Sequence, residues 1–343
     1  MLNDIKVLIT ACGTPGFLPL HKQLSNVTER NIEIIGVDMC KNAGGRFVVD
    51  KFYQVPPASD ANYQEKILGI IEQEKPIDVV IPESSLEIAK IAQIQNRIDA
   101  KVMVNDYYTI KQFENKLTLY KKLEAIDVPI PKYFEPFDLD EFENDAWRLG
   151  YPKKKVCFKP CIGKGSRGFR IIDDKKSELD ILFDERPFNP HISMDTFSNI
   201  FKDIQMLPDL LLCEYVSGTE FDVMVLANEN SDALLTTVKE RKTSKYGLSW
   251  EGELVDSPEH VELSARIVKE LGLKYCNGIQ FKSNKVIEVN PRLSTFLYGD
   301  NFCEPYIAIK MMLGELTDDE VREYQDKIPI GRKFIRTTDQ RFF

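Results

Sequence analysis

The sequence predicts an α/β protein of two or three domains, with a doubly wound parallel sheet at its N-terminal end. Three apolar strands, at residues 6–9, 32–37 and 78–82, alternate with helical stretches, a pattern typical of parallel strands joined by crossover helices. The chain of 343 residues is long enough to bury a large core in more than one domain. Further along, short apolar runs separated by glycine-containing turns indicate strand hairpins.

The first strand is followed by a glycine-containing turn, which is the position of the phosphate-binding turn in dinucleotide-binding proteins. Asp38 ends the second strand, where an acid would bind the ribose of a dinucleotide. That pattern needs a third glycine, however, and Pro19 stands in its place while Pro15 interrupts the turn. A nicotinamide-dependent dehydrogenase is therefore the less favoured alternative.

The third strand is followed by a loop, residues 82–87, at its carboxyl end. Ligands of doubly wound sheets collect at that end. Glu83 and Glu87 either hold an amine there or are helix-start acids favoured by the helix dipole. The residues alone favour the second interpretation and leave the first open.

A glycine-rich loop between two apolar strands, within residues 156–172, has the composition of a phosphate-binding loop. Its glycines let backbone N–H groups approach a phosphate, and Lys159 on the incoming strand supplies positive charge. It is not a Walker loop, because its lysine spacing differs and strand-like residues follow it. An ordinary hairpin loop is the alternative. The candidate phosphate-binding residues are Lys159, Gly163, Gly165, Ser166 and Arg167.

A third pattern joins two strands through a turn at Ser217 and Gly218. The apolar run before the turn ends at Glu214, and the strand after it carries Glu220 on its polar face. Carboxylates at strand ends can accept hydrogen bonds from an adenine amino group or a ribose hydroxyl. Alternatively, Glu214 simply ends its strand in solvent.

The segment 277–292 is predicted to be a β-hairpin that carries a metal site. Glu288 and Asn290 share one face of its second strand, while Ile287 and Val289 point into a core. Carboxylate and amide oxygens without nearby His or Cys suit a hard divalent cation, chiefly Mg²⁺. The alternative is an exposed strand whose polar face meets water.

Gln280 can join this metal site only under one geometry of the hairpin turn. A three-residue turn at 283–285 would place Gln280 opposite Glu288. Asn284 would then supply the left-handed conformation that such a turn needs. Arg292, which follows the hairpin, would add a positive fork beside the metal.

Two further segments supply cations. Residues 116–125 have the spacing of a helix with one apolar face, and Lys116 at its start would ordinarily be a solvated residue. A basic run at 239–247 is expected to be a loop whose cations either reach an anion or are solvated.

In this order, the motifs between about residues 105 and 300 resemble the signature of the ATP-grasp superfamily. The resemblance is to single-unit proteins similar to half of a carbamoyl phosphate synthase large subunit. It implies that Lys159 and its glycine loop cover the phosphates of ATP. Lys116 is implied to reach the phosphates as well, although Asn115 replaces the Asp that usually opens this helix.

The resemblance also assigns roles to the other candidate residues. It implies nucleotide contacts from the Glu214 side chain to adenine, from the backbone of Tyr215 and Val216 to the base edge, and from Glu220 to ribose. The implied ligands of Mg²⁺, or of Mn²⁺ in its place, are Gln280, Glu288 and Asn290. The implied catalytic residues are Lys159 and Arg292, the latter touching phosphate or substrate.

An ATP-grasp fold implies three domains here: an N-terminal pre-ATP-grasp α/β domain (1–105), a helix with a small lid subdomain (106–205), and a C-terminal α+β subdomain with hinge and metal site (206–343). The implied enzyme is an ATP- and magnesium-dependent ligase that activates a small-molecule carboxylate as an acyl phosphate for attack by an amine. A non-catalytic or regulatory ATP-binding protein of the same fold is the main alternative. Carbamoyl phosphate synthesis by this chain alone is not expected, because the synthase uses two such units.

Bulk properties exclude several other classes of protein. Lys plus Arg total 45 against 54 Asp plus Glu, so a net charge of −9 argues against a nucleic-acid partner. No apolar run has the length of a membrane span, and no signal-peptide core opens the chain. Seven cysteines without C-x-x-C spacing indicate reduced thiols, which predicts a cytoplasmic protein. The expected partners are ATP, a carboxylate and an amine; a homodimer stays open.

Overall fold

The computed structural model describes residues 2–163, 167–176, 179, 189–245, 247–294 and 302–337. The chain divides into two compact units. Unit 1 comprises Met1–Lys111, Glu220–Phe281 and Val289–Phe343, and unit 2 comprises Gln112–Thr219 and Lys282–Glu288. The division into three domains stays a prediction.

The first part of the chain alternates strands and helices. The strands are β1 (Ile5–Thr10), β2 (Ile32–Asp38), β3 (Lys51–Gln54), β4 (Val79–Pro82) and β5 (Lys101–Val102). The helices are α1 (Phe17–Ser25), α2 (Tyr63–Gln73), α3 (Ile88–Ile94) and α4 (Tyr107–Glu114). The strands form one sheet in the order β3-β2-β1-β4-β5, with each neighbouring pair parallel. The doubly wound parallel sheet predicted from the alternation is confirmed.

The apolar runs in this sheet follow from burial on both of its faces. In β1, Val7, Leu8 and Ile9 are all completely buried, although successive side chains point to opposite faces. Val7 and Ile9 belong to one hydrophobic core with Phe17 of α1. Leu8 belongs to a second core with Ile67 of α2. Helices on each face thus require three consecutive apolar residues rather than alternation.

Unit 2 contains a mixed sheet with helices against it. Its helices are α5 (Lys116–Ala125), α6 (Leu139–Arg148) and α7 (Met194–Phe201). Its strands are β6 (Tyr133–Phe134), β7 (Val156–Pro160), β8 (Arg170–Ile172), β9 (His191–Ile192) and β10 (Leu210–Glu214), in the order β6-β10-β7-β8-β9. Phe142 of α6 stacks on Phe197 of α7 with ring centroids 4.1 Å apart, at the centre of this unit's core.

The remaining strands form a third sheet. They are β11 (Glu220–Ala227), β12 (Ala233–Lys245), β13 (Leu248–Val255), β14 (Tyr275–Lys282), β15 (Lys285–Asn290) and β16 (Lys333–Ile335), in the order β15-β14-β11-β12-β13-β16. The accompanying helices are α8 (Pro258–Leu271), α9 (Glu304–Met312) and α10 (Asp318–Arg322). The expectation of a loop at 239–247 is wrong as far as Lys245, because β12 continues through the basic run and pairs with β11 and β13.

Within the described ranges, no helix has both the length and the apolar character needed to cross a membrane.

Candidate functional site

In unit 2, the strand that precedes the glycine loop carries a fixed cation. The Lys159 ammonium donates to Tyr120 Oη at 2.9 Å and to the backbone oxygen of Ile287 at 3.1 Å. Burial alone would lower the pKa of this ammonium, but Tyr120, Cys213 and, to a smaller extent, Glu288 outweigh burial and raise the pKa above its ordinary value. Lys159 is therefore charged and held against the strand that carries Glu288.

Lys116 lies at the start of α5, as predicted, and turns toward the glycine loop. Its ammonium donates to the backbone oxygen of Gly163 at 2.7 Å. The Asn115 side chain accepts from the backbone N–H groups of Leu117 and Thr118 at 2.9 and 3.2 Å, which caps the helix. The Asn in place of Asp thus preserves the cap while removing one negative charge beside Lys116.

The glycine loop is described at its two ends. Gly163 and Arg167 are described, whereas the predicted phosphate contacts at Gly165 and Ser166 lie outside the described residues. Gly168 has a left-handed φ of 78°, and a Cβ there would lie 2.6 Å from Pro160 Cγ. The requirement for glycine is therefore clearest at Gly168, where backbone conformation and close packing coincide.

The Glu214 side chain at the end of β10 is bound by protein donors. It pairs with the Lys285 ammonium and accepts from the backbone N–H of Lys132 at 2.9 Å. Burial would raise the pKa of this carboxyl, but these donors outweigh burial and hold the pKa below its usual range. Glu214 is thus an ionised, positioned group rather than a solvated strand end, and its role at adenine stays a prediction.

The two backbone N–H groups that follow Glu214 differ in whether the protein already uses them. The Tyr215 N–H donates to the Lys155 carbonyl at 3.2 Å, so this donor is already used. No hydrogen bond among the described residues uses the N–H of Val216. Of the two predicted base-edge positions, Val216 therefore has the available donor.

In unit 1, Glu220 begins β11 opposite Arg241 of β12. An Arg241 guanidinium nitrogen lies 3.5 Å from Glu220 Oε2, and Arg241 Nε donates to Asp222 Oδ2 at 2.7 Å. Both acids on this polar face are therefore paired with the same arginine. The predicted contact of Glu220 with ribose stays a prediction.

The β14–β15 hairpin forms where predicted, but its turn differs. The strands end at Lys282 and resume at Lys285, so the turn has two residues and the predicted three-residue turn is wrong. Ser283 holds the left-handed conformation, with φ of 52°, in the place expected for Asn284. The prediction that Gln280 faces Glu288 across an odd-numbered turn loses its basis.

Burial along β15 corrects a second detail. Val286 and Val289 are buried, whereas Ile287, predicted to be in the core, is half-buried. Buried positions three apart do not follow the strict alternation of a half-buried strand. Glu288 and Asn290 still flank the buried Val289 and so share the opposite face.

The donor set of this hairpin fits a hard cation. No hydrogen bond among the described residues uses the side-chain oxygens of Gln280, Glu288 or Asn290, so these oxygens are available to a ligand. The described part of the chain contains no cluster of three or more His, Cys, Asp or Glu residues that could hold a metal. Any metal here would therefore need the amide oxygens beside the carboxylate, which is chemistry that suits Mg²⁺.

Arg292 faces the loop that follows β4. Its Nε donates to Ser85 Oγ at 2.6 Å, and a terminal nitrogen donates to the Leu293 carbonyl at 2.7 Å. Glu83 of the same loop accepts from Thr14 Oγ1 at 2.7 Å. Burial raises the pKa of Glu83 to about 8, although Thr14 and Arg292 oppose the shift.

Sequence reasoning missed two buried titratable side chains that interact electrostatically, Lys239 on β12 and Glu304 on α9. Thr237 Oγ1 donates to Glu304 Oε1 at 2.6 Å, and both side chains are buried together with Lys239. Burial lowers the pKa of Lys239 to about 7 against the opposing pull of Glu304, and burial raises the pKa of Glu304. The available signal was a lysine within an apolar strand pattern, which was taken as part of a basic loop.

The parallel sheet, the half-buried lysine before the glycine loop and the amide-carboxylate hairpin are features expected of an α/β protein that binds nucleotide phosphates. A profile described as ATP-grasp domain matches residues 113–296, more than half of the chain, and one described as PylC-like, N-terminal domain matches residues 7–104. The chain therefore belongs to the ATP-grasp family, and the predicted ATP-grasp fold with an N-terminal parallel sheet is confirmed.

Individual relatives agree with this family assignment. The carbamoyl phosphate synthase large chain of Clostridium botulinum strain Kyoto is 24% identical over 290 residues, which cover 79% of this chain and 25% of that protein. The chain thus spans about a quarter of the length of the curated relatives it matches.

Two solved structures share the fold. N5-carboxyaminoimidazole synthetase from Staphylococcus aureus, complexed with ADP, superposes with a TM-score of 0.60, 15% identity, and coverage of 84% of this chain and 70% of that one. The biotin carboxylase domain dimer of Hydrogenobacter thermophilus 2-oxoglutarate carboxylase, in complex with MgADP, ADP and bicarbonate, superposes with a TM-score of 0.63 and 17% identity. The superposition covers 91% of this chain and 70% of that one. At such identities the likeness establishes the fold alone.

Proposed function

We propose that the chain is an ATP- and magnesium-dependent ligase that activates a small-molecule carboxylate as an acyl phosphate and transfers the acyl group to an amine. The observation that carries the proposal is the contact of Lys159 Nζ with the Ile287 carbonyl, 128 residues away in sequence. It joins the phosphate-loop cation to the strand that carries Glu288. A cation for phosphate beside an oxygen ligand for metal is the combination that phosphoryl transfer from ATP needs.

Positioning and charge neutralisation account for the first chemical step. Lys159 and Lys116 would neutralise the phosphates of ATP, and the Val216 N–H would bind the base edge. Arg292 would stabilise the charge that develops as the phosphoryl group passes to the carboxylate. No protein nucleophile is required, because the substrate carboxylate itself attacks the γ-phosphorus.

Glu288 and Asn290 are the proposed ligands of the metal, and Gln280 is proposed on the family resemblance alone, because the two-residue turn removes the geometric argument for it. When bound there, Mg²⁺ or Mn²⁺ would supply positive charge to the phosphates of ATP. Replacing Glu288 by Gln should leave the fold and adenosine binding intact but abolish magnesium-dependent ADP formation, because one charged ligand becomes neutral. Unchanged turnover at saturating Mg²⁺ would remove Glu288 from the metal site.

The relatives support ATP dependence without deciding the substrates. The solved structures named above hold ADP or MgADP, and the proposal extends ATP use to this chain. A non-catalytic ATP-binding protein is the competing class. Retention of Lys159, Glu288, Asn290 and Arg292 favours the enzyme, because a protein that only binds nucleotide has no need of the full phosphate and metal set.

Two measurements test the proposal. Thermal unfolding should shift upward with ATP and Mg²⁺ but not with nicotinamide nucleotides, since a ligand that binds only the folded state stabilises it. ADP release should then be screened with paired carboxylates and amines. A shift with nicotinamide nucleotides alone would favour the dehydrogenase, and ATP binding without ADP release from any pair would favour the non-catalytic class.

A further inference from the structure

In unit 2, one acceptor of the Lys159 ammonium belongs neither to the glycine loop nor to the metal hairpin. It is Tyr120 of α5, which is 1% exposed and whose Oη accepts from Lys159 Nζ at 2.9 Å. The second acceptor is the Ile287 carbonyl, to which the Tyr120 hydroxyl also donates, at 3.5 Å. A buried hydroxyl, a backbone carbonyl and the ammonium of the half-buried Lys159 therefore form one closed group of hydrogen bonds.

These two acceptors fix the direction of the ammonium. An ammonium has three N–H donors, and the bonds to Tyr120 and Ile287 use two of them. No other hydrogen bond among the described residues involves Lys159 Nζ, so the third donor is left with one direction. A lysine is otherwise a point charge on a flexible stem, so a defined direction has to come from partners of this kind.

The neighbouring tyrosine does not make this contact. Tyr133 packs edge-to-face on Tyr120, with ring centroids 5.4 Å apart, but its hydroxyl donates to the exposed Glu124 at 3.2 Å. Burial raises the pKa of Tyr120 although Lys159 opposes the shift, so the Tyr120 hydroxyl is neutral and can accept from the ammonium. Of these two adjacent rings, Tyr120 alone is joined to the phosphate cation.

Helix α5 places Tyr120 on the same face as Lys116. The two residues are four apart, and side chains at that spacing are neighbours on a helix. Lys116 contacts the glycine loop at Gly163, and Tyr120 contacts the strand that enters this loop. One helix therefore holds both cations for phosphate, Lys116 directly and Lys159 through the Tyr120 hydroxyl.

We propose that Tyr120 is a positioning residue for ATP: its hydroxyl and the Ile287 carbonyl hold two N–H groups of Lys159, so that the third is directed at the phosphates. The inference rests on the proposed function, in which Lys159 binds phosphate. Tyr120 touches no ligand in this scheme and acts only through the direction of Lys159. Loss of the hydroxyl should therefore weaken phosphate binding and leave base binding unchanged.

The first test is Tyr120→Phe, which removes the hydroxyl and keeps the ring, whose centroid lies 4.6 Å from Lys159 Nζ. In isothermal titration, affinity for ATP with Mg²⁺ should fall about fivefold or more, a coupling expected within one hydrogen-bond network, while adenosine affinity stays within about twofold. Unchanged adenosine affinity also shows that the variant is folded. Tyr133→Phe, which removes the neighbouring hydroxyl, is the matched control and should change neither affinity.

The second test asks whether Tyr120 acts through Lys159. In the Lys159→Ala background, adding Tyr120→Phe should change affinity for ATP with Mg²⁺ by less than about twofold, because the group that the hydroxyl directs is gone. An equal loss in both backgrounds, an equal loss for adenosine, or no loss in Tyr120→Phe alone would overturn the inference. Wild type that binds ATP but releases no ADP with any acid and amine would refute the ligase proposal and leave the result for Tyr120 standing. Wild type that does not bind ATP with Mg²⁺ would refute both.

Discussion

At the scale of single residues, partners decide the charge of a lysine that folding removes from water, as the half-buried Lys159 and the buried Lys239 show. Lys159 and Lys239 both lose water, which by itself lowers the pKa of an ammonium. Tyr120, Cys213 and Glu288 together outweigh that effect at Lys159. At Lys239 the buried Glu304 does not outweigh it, and the pKa falls to about 7. Lys159 therefore suits a permanent phosphate contact, and Lys239 does not.

Removal of the Lys159 side chain should weaken binding of the ATP phosphates and leave binding of the adenine base unchanged. In Lys159→Ala, affinity for ATP with Mg²⁺ should fall by about tenfold or more, the worth of a charge-assisted hydrogen bond, while adenosine affinity stays nearly constant. Isothermal titration with both ligands measures the difference. The exposed Lys121→Ala is the control. An equal loss of affinity for ATP and for adenosine would place Lys159 near the adenine base instead.

Glu83 should leave a signature in the pH dependence of stability. Its pKa rises from 4.5 unfolded to about 8 folded, so the folded state binds more protons between these values and the free energy of unfolding falls as pH rises through that window. Glu83→Gln cannot ionise and should become more stable relative to wild type from pH 5 to pH 8, by at least about 1.4 kcal/mol, the equivalent of one pKa unit. Urea unfolding at both pH values measures this difference, and a constant difference would contradict the shift.

At the scale of elements, the β14–β15 hairpin shows which features of a strand can be predicted from the sequence pattern. Alternation along β15 predicted that Glu288 and Asn290 share a face, and their half-burial around the buried Val289 agrees. The turn was mispredicted, because Asn was preferred for the left-handed conformation that Ser283 adopts. The half-burial of Ile287 has no signal in the sequence, since burial depends on what packs against the strand.

The cap of α5 provides a test at this scale. Asn115→Ala removes the acceptor for two backbone N–H groups and should lower the free energy of unfolding by about 1 kcal/mol. Asn115→Asp keeps the acceptor, adds a negative charge at the helix start and should match or exceed wild type. Chemical denaturation of the three proteins measures the order. Equal stability of all three would show that the cap contributes nothing.

At the scale of the whole chain, the order of motifs was the strongest sequence signal. Strand-helix alternation predicted the parallel sheet, and the sequence of lysine, glycine loop, hinge and hairpin predicted the family. What could not be predicted were contacts between residues distant in sequence, such as Arg292 with Ser85 or Arg336 with Pro15. Those contacts depend on the packing of complete elements.

The most direct test of the central claim is to trap the activated carboxylate with hydroxylamine. With ATP, Mg²⁺ and the correct acid, hydroxamate should form in step with ADP and only when that acid is present. Arg292→Ala should keep ATP affinity within a few-fold yet cut hydroxamate formation by on the order of a hundredfold, the loss expected for one donor to developing charge. ADP release driven by an acid, without hydroxamate or a phosphorylated acid, would contradict the acyl-phosphate mechanism.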